Sequence, residues 1–248
     1  DWFGIDEKDY ESINYVIKFN SAGNFVYDFS QPTLLDSGIW LYQTTGDEKF
    51  LQKARDVANL IEKHYLYDSG IVMNVHPMAK IVKASEVHTN QEILIDIAKL
   101  AIVDSNYVQL TKTIADAVIE HEINHETELF YTQVTLEGKP ARTYSDGTEC
   151  FCNHMNLSYS GSVGLESLLL AYEVTSDTTY LEQVKRTILA YWELRDKDTN
   201  LIPSKINTDT GSVENSFMQQ YGAGVFLKVL LHYYYLTEDV EIYKIIQD

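Results

Sequence analysis

Leu41-Tyr42-Gln43-Thr44-Thr45-Gly46-Asp47-Glu48-Lys49-Phe50-Leu51 is the stretch that decides the fold, because its grammar returns three more times along the chain. In each copy a strongly apolar segment stops at a short break holding an aspartate, and a bulky apolar residue three positions later opens an amphipathic segment. The aspartates are Asp47, Asp104, Asp177 and Asp239; the bulky residues are Phe50, Tyr107, Tyr180 and Ile242, followed at once by Leu51, Val108, Leu181 and Tyr243. An Asp at a helix start accepts hydrogen bonds from unpartnered backbone N–H groups and complements the positive end of the helix dipole. Each aspartate is therefore read as the N-cap of a tight helix-to-helix turn, and Thr44, Thr45, Thr175, Ser176 and Thr237 suit such a turn.

The segments on either side of the turn differ. The second carries one apolar stripe, for example Leu51, Ala54, Val57, Ala58, Ile61 and Tyr65, set against Lys53, Arg55, Asp56, Glu62 and Lys63, and so has one wet face. The first is apolar nearly all round, as in Ile93 to Val103, Leu165 to Val174 and Val225 to Leu236, and is expected to be buried on every side. With the aspartates 57, 73 and 62 residues apart, alternating helices of these two kinds describe an inner ring wrapped by an outer ring. The expected architecture is all-α, an α/α toroid of about four to five helical hairpins in one domain over residues 1–248, with the ring small or incomplete. A further helix is expected near residues 9 to 20. The long stretches 67–89, 123–160 and 196–217 follow outer helices and precede inner ones; connections of that length in a compact domain usually carry function.

Composition narrows the partners. The 248 residues are 45% hydrophobic and 23% charged, as in globular chains, and carry a net charge of -18. Phosphate backbones and anionic lipid are repelled by such a charge, so neither nucleic acid nor a membrane surface is an expected partner. No apolar run approaches the roughly 20 residues of a membrane helix, and no basic-then-apolar leader opens the chain, which leaves cytoplasmic and secreted locations both open. Cys150 and Cys152, one residue apart, are poorly placed for a mutual disulfide and too few for structural zinc. The absence of a Gly-rich phosphate loop or dinucleotide fingerprint gives no reason to expect an organic cofactor.

The strings Leu41 to Leu51 with Ala54, and Leu170-Ala171-Tyr172-Glu173-Val174-Thr175-Ser176-Asp177-Thr178-Thr179-Tyr180-Leu181, resemble the hairpin junction of the six-hairpin glycosidase superfamily. That resemblance covers most of the chain and implies the toroid fold. It also implies an activity among those of its members, which include α-mannanases, unsaturated glucuronyl hydrolases, sugar 2-epimerases and uronyl C5-epimerases, with carboxylates near the inner-helix starts. The paired adjacent aspartates of the mannanase type are missing: the corresponding stretch, Gln31-Pro32-Thr33-Leu34-Leu35-Asp36, holds one acid.

In such a ring the segments leading into the inner helices line one cavity. They hold acids, amides and aromatic residues, the groups that bind sugar hydroxyls and ring faces. The catalytic candidates are Asp36, Glu86, Asp146 and Glu149, since glycoside cleavage needs two flanking carboxyl groups, one protonated and one ionised. Trp40, His88, Tyr144, His154, Tyr159, Gln219 and Tyr221 are the candidates for holding a carbohydrate substrate. Each has a plainer reading as a helix cap, turn residue, core aromatic or satisfied loop histidine. Glycoside hydrolysis is the leading expectation, with a sugar or uronate epimerase as one alternative. A non-catalytic glycan- or protein-binding module is another. The last is a zinc peptidase, since His121-Glu122-Ile123-Asn124-His125 matches the helix signature in which two histidines one turn apart bind zinc and the glutamate activates water. Three features weigh against it: the motif ends its helix, Glu126 and Thr127 follow, and no third ligand is apparent from spacing.

Overall fold

A computed structural model describes residues 18–19, 25–26, 30–72, 84–142, 154–156, 161–215 and 220–248; for 18–19, 25–26, 30–34, 64, 84–86, 154–156, 215 and 220–222 the description is of the backbone alone. Among them are eight α-helices: α1 (Ser30–Thr45), α2 (Glu48–His64), α3 (Val87–Val103), α4 (Val108–His121), α5 (Ser162–Thr175), α6 (Thr178–Glu193), α7 (Gln220–Thr237) and α8 (Val240–Gln247). They form four hairpins. The inner helices α1, α3, α5 and α7 pack side by side in chain order, each with its outer partner behind it. This is the α/α toroid architecture.

Every anticipated cap is in place. The side chains of Asp47, Asp104, Asp177 and Asp239 accept from the backbone N–H two residues on, Asp104 through a 3-10 turn (Ser105–Tyr107) that leads into α4. Three junctions share a further geometry. Gly46, Ser176 and Glu238 adopt the left-handed conformation and donate their N–H groups to the carbonyls of Tyr42, Tyr172 and Tyr234. Thr45, Thr175 and Thr237 then accept from the N–H of the capping aspartate. Eight residues beyond a cap, the outer helix carries a cation that reaches the next one: Arg55 Nε lies 2.6 Å from Asp104, Lys112 Nζ 2.9 Å from Asp177 and Lys185 Nζ 2.8 Å from Asp239.

At the opposite end short strands join the segments that lead into the inner helices. β3 (Ala84–Glu86), before α3, pairs with β6 (Gln133–Thr135), before α5; β7 (His154–Asn156), also before α5, pairs with β8 (Lys205–Asn207), before α7, which pairs with β9 (Val213–Asn215). The inner helices therefore start at one end of the molecule. β4 (Ile123–Asn124) and β5 (Leu129–Phe130) form a hairpin directly after α4.

Two expectations are corrected. Residues 18–19 form β1 (Lys18–Phe19), paired with β2 (Phe25–Val26), so the helix expected near 9 to 20 does not run through them; the rest of that stretch lies outside the described residues. The inner helices are not buried on every side: Ile102 is 58% and Tyr235 81% exposed. An inner helix of a toroid borders the central hollow, and the face turned toward the hollow has no helix to cover it. The outer-helix stripe is buried as expected, with Leu51, Ala54, Ala58, Ile61 and Tyr65 all in the core.

Candidate functional site

Helix α3 packs between α1 and α5 with α4 behind it, so its remaining face opens on the hollow. The residues on that face recur every three or four positions, as a helical face requires: His88, Glu92, Ile95, Lys99 and Ile102, none of them buried. His88 Nε2 lies 3.4 Å from Glu92 Oε1, one turn on, and burial lowers the His88 pKa.

Lower on the same helix, Lys99 Nζ reaches across to α1 and lies 2.6 Å from Asp36 Oδ1 and 3.8 Å from Asp96 Oδ1. Asp96 is nearly buried, and burial raises its pKa well above the usual carboxylate range. The charge of Lys99 opposes that shift, and the charges of Asp36 and Glu92 add to it. One turn beyond Asp36, Trp40 shows 56% of its surface. This is a pair of carboxyl groups about one cation, with burial raising the pKa of one acid and an open indole one turn further along α1.

A second cluster joins α5 to α7. Glu166 Oε1 lies 2.9 Å from Lys228 Nζ, and its Oε2 lies 3.3 Å from His232 Nδ1; the other ring nitrogen lies 3.4 Å from Glu173 Oε2. The hydrogen bond to Glu166 raises the His232 pKa above that of an isolated imidazole. For Glu166 burial acts upward, but its contacts with His232 and Lys228 prevail and lower it.

Behind the first turn of α3 lies a third polar group. Glu122, the residue after α4, is completely buried, and its carbonyl accepts from the Tyr131 N–H. Asn90 Nδ2 donates to Glu122 Oε1 at 2.5 Å and Gln91 Nε2 approaches Oε2 at 3.5 Å, while Asn90 Oδ1 accepts from the Val72 N–H at 3.2 Å. Burial pushes the Glu122 pKa up to about 8 against those two amide contacts.

This arrangement overturns the zinc-peptidase reading. α4 ends at His121, and the next residues turn into β4, so His125 does not follow His121 on one helical face. Glu122 is engaged by Asn90 and Gln91 instead of lying open beside two imidazoles. Among the described residues no three His, Cys, Asp or Glu side chains gather as a metal site would require.

Of the anticipated residues, Asp36 meets Lys99 of α3, Trp40 lies exposed one turn further along α1, and His88 pairs with Glu92 in the first two turns of α3. Glu86 is the last residue of β3, opposite Gln133; His154 lies in β7 opposite Asn207; Tyr221 lies in the first turn of α7; all three are described through the backbone alone. Tyr144, Asp146, Glu149, Tyr159 and Gln219 lie outside the described residues, as do Cys150 and Cys152. The sequence reasoning missed Glu92, Asp96, Lys99, Glu166, Glu173, Lys228 and His232. The available signal was a titratable residue inside a greasy helix: Asp96 and Lys99 are the only charged residues between Ile93 and Val103.

Comparison with known proteins bears on what this hollow does. The glycosyl hydrolase family 47 model matches residues 94–244, more than half of the chain. No curated protein matches significantly. Among solved structures, a D-mannose isomerase superposes with a TM-score of 0.69 at 12% identity, over 94% of this chain and 60% of its own. An inactive variant of the α-1,6-mannanase GH76A of Salegentibacter sp. HEL1_6, with two adjacent aspartates replaced by asparagine and α-1,6-mannotriose bound, superposes at 0.60 with 16% identity, over 94% and 64%. A glycoside hydrolase family 105 protein of C. acetobutylicum ATCC 824 superposes at 0.66 with 15% identity, over 96% and 68%. The chain thus spans about three-fifths to two-thirds of the length of these structures. At such identities the likeness is one of fold.

Proposed function

Because the chain belongs to glycosyl hydrolase family 47, we propose that it is a carbohydrate-active enzyme that cleaves glycosidic bonds, with the sugar lying along the hollow face of α1 and α3. The observation that carries this reading is the Asp36–Lys99 ion pair with the buried Asp96 beside it, whose pKa burial raises. Glycoside cleavage needs one carboxyl group that still holds a proton for the leaving oxygen and one that is charged, and enzymes obtain the two by giving identical groups opposite surroundings. Asp96 is assigned as the acid and Asp36 as the charged partner, with Trp40 as a stacking face for a sugar ring. Glu86, Asp146 and Glu149 stay in the proposal as the carboxylates of the segments leading into α3 and α5. A cation beside the charged partner serves the ground state well, so Lys99 must release Asp36 or remain as part of the substrate's hydrogen-bonding frame.

The test is incubation of the purified protein with manno-oligosaccharides, α-1,6-mannotriose first because a protein of this fold holds it, followed by a broader glycan panel. New reducing ends are expected, and both Asp36→Asn and Asp96→Asn should slow their release by about 10²-fold or more. Release undiminished by both substitutions would remove these residues from the chemistry; absence of both release and binding across the panel would remove the enzyme reading in favour of a scaffold module.

A second reading is favoured by one observation. The His232 imidazole stands between Glu166 and Glu173, and an imidazole–carboxylate pair is suited to moving a proton next to a sugar carbonyl. Conversion of a reducing sugar to its epimer or isomer in the same incubations, lost in His232→Asn, would select that activity over hydrolysis.

A further inference from the structure

Gln91 Oε1 is a buried acceptor without a hydrogen-bond partner among the described residues, and it belongs to an amide that touches a fully buried carboxyl group. Both features have one remedy. The two ends of a carboxamide exchange places by a half-turn of the side chain, and which end faces a neighbour is assigned from the hydrogen-bond network. Asn90 has no such choice: its Oδ1 receives the Val72 N–H, so its Nδ2 must face Glu122. Gln91 is unconstrained in this way. If its oxygen faces Glu122 Oε2, the contact holds only when that oxygen carries a proton to donate.

We propose that Glu122 is a positioning residue kept as a neutral carboxylic acid. Its Oε2–H donates to Gln91 Oε1 and its Oε1 accepts from Asn90. These bonds lock the first turn of α3, which presents His88 and Glu92 to the hollow. The relay runs from the Val72 N–H through Asn90 to Glu122 and ends on the Gln91 oxygen. It ties three elements, because the Gln91 amide packs on Gly164 of α5, where the first atom of any side chain would come within 2.6 Å of it. The surroundings agree with a neutral acid. The carboxyl is removed from water, and among the described residues no charged side chain bears on it. The neighbouring titratable groups are His121, which packs on Gly138, and Tyr131, whose contact is through its backbone; His88 and Glu92 occupy the other face of α3, and the start of α5 offers Ser162 and Gly164. The importance of the turn for catalysis rests on the hydrolase reading, but the protonation and the locking do not.

The experiment compares equilibrium unfolding of the wild type with Glu122→Gln from pH 5 to 9. A carboxyl with a raised folded pKa stays protonated in the native state while the unfolded chain ionises near 4.5. Stability is therefore fully present below the unfolded pKa and drains away as pH climbs toward the folded one. The ratio of the wild-type to the variant unfolding constant should rise about tenfold per pH unit until about pH 8 and then level off. A flat ratio overturns the neutral acid.

The locking is read by NMR titration of the His88 imidazole. Its depressed pKa should persist in Glu122→Gln and move toward the free value in Glu122→Ala; no movement in Glu122→Ala overturns the positioning role. Should Glu122→Ala not fold, Asn90→Leu breaks the same relay and is read in the same way. Neither measurement uses a substrate, so a chain that cleaves no glycan still decides the inference.

Discussion

The two ends of the helical layer treat the same chemical group in opposite ways. At the turn end, the carboxylates of Asp47, Asp104, Asp177 and Asp239 all have lowered pKa values, Asp177 down to about 2, because hydrogen bonds from backbone N–H groups and from lysine or arginine favour the charge. At the other end and in the hollow, Glu122 is pushed up to about 8 and Asp96 well above its ordinary value, because burial removes water and supplies too few donors in return. The turn end is built from one local solution used four times. The opposite end contains strands, a sealed carboxyl and long connections, and no two of its lead-in segments match. Repetition marks the part that only has to hold neighbouring hairpins in register; departure from it marks the part free to acquire chemistry.

Removing a carboxyl from each end should separate those roles. Asp96→Asn is expected to lower the rate of glycan cleavage by about 10²- to 10⁴-fold, the usual contribution of a general acid, with the thermal midpoint little changed. Steady-state kinetics beside a melting curve checks it, and a rate within threefold of wild type would place the acid elsewhere.

Gly164→Ala attacks the packing under the unrepeated end. Its new methyl meets Gln91 and Phe130 at 2.6 and 2.7 Å, an overpacking expected to cost about 1–3 kcal/mol. Denaturant titration measures it, and an unaltered midpoint would mean that Gln91 moves aside without penalty.

Asp104→Ala, at the turn end, removes a cap and the partner of Arg55 and should cost about 1–2 kcal/mol, leaving cleavage per folded molecule unchanged. The sign of its pH dependence is opposite to that of Glu122. The folded pKa is depressed, so the contribution is present above the unfolded value of 3.8 and disappears as pH falls through the folded one. Wild type and variant should converge in acid; a difference that persists there would assign the loss to packing.

Trp40→Ala tests whether the open indole belongs to the site: a rise in KM of roughly 2- to 10-fold, the equivalent of one aromatic contact, with stability unchanged. The smallest effect is a gain. Ser176 holds a left-handed conformation at φ 58° that glycine adopts without strain, and Ser176→Gly is expected to add about 0.5–1 kcal/mol. If the protein is not stabilised, the Thr175 and Tyr172 contacts already absorb the strain.

The turn end was legible because its signals are local. Asp47 and Phe50 act within one helical turn, and the same spacing at Asp104, Asp177 and Asp239 made the repeat visible without any knowledge of the tertiary fold. Asp36 and His88 were named because they sit in the opening turns of inner helices, and Trp40 because an aromatic side chain can stack on a sugar ring. Asp96 and Lys99 were passed over because an inner helix was taken to be greasy all round, whereas its open face can carry a cation such as Lys99, beside which Asp96 is buried. His121 to His125 was weighed against for its place at a helix end, and helix α4 does end at His121, which puts the second histidine off that helix.

The pattern of apolar and charged residues was thus enough to establish four capped hairpins and their inner and outer roles, since caps, stripes and turns depend on residues within a few positions of one another. The burial of Glu122 against Asn90 and Gln91, the meeting of Asp36 with Lys99 and the bracketing of His232 by two glutamates arose only when hairpins distant in the chain packed together. Burial and charge proximity are properties of the assembled neighbours, and the identity of a carboxylate in the sequence does not disclose whether its surroundings will keep or remove its proton.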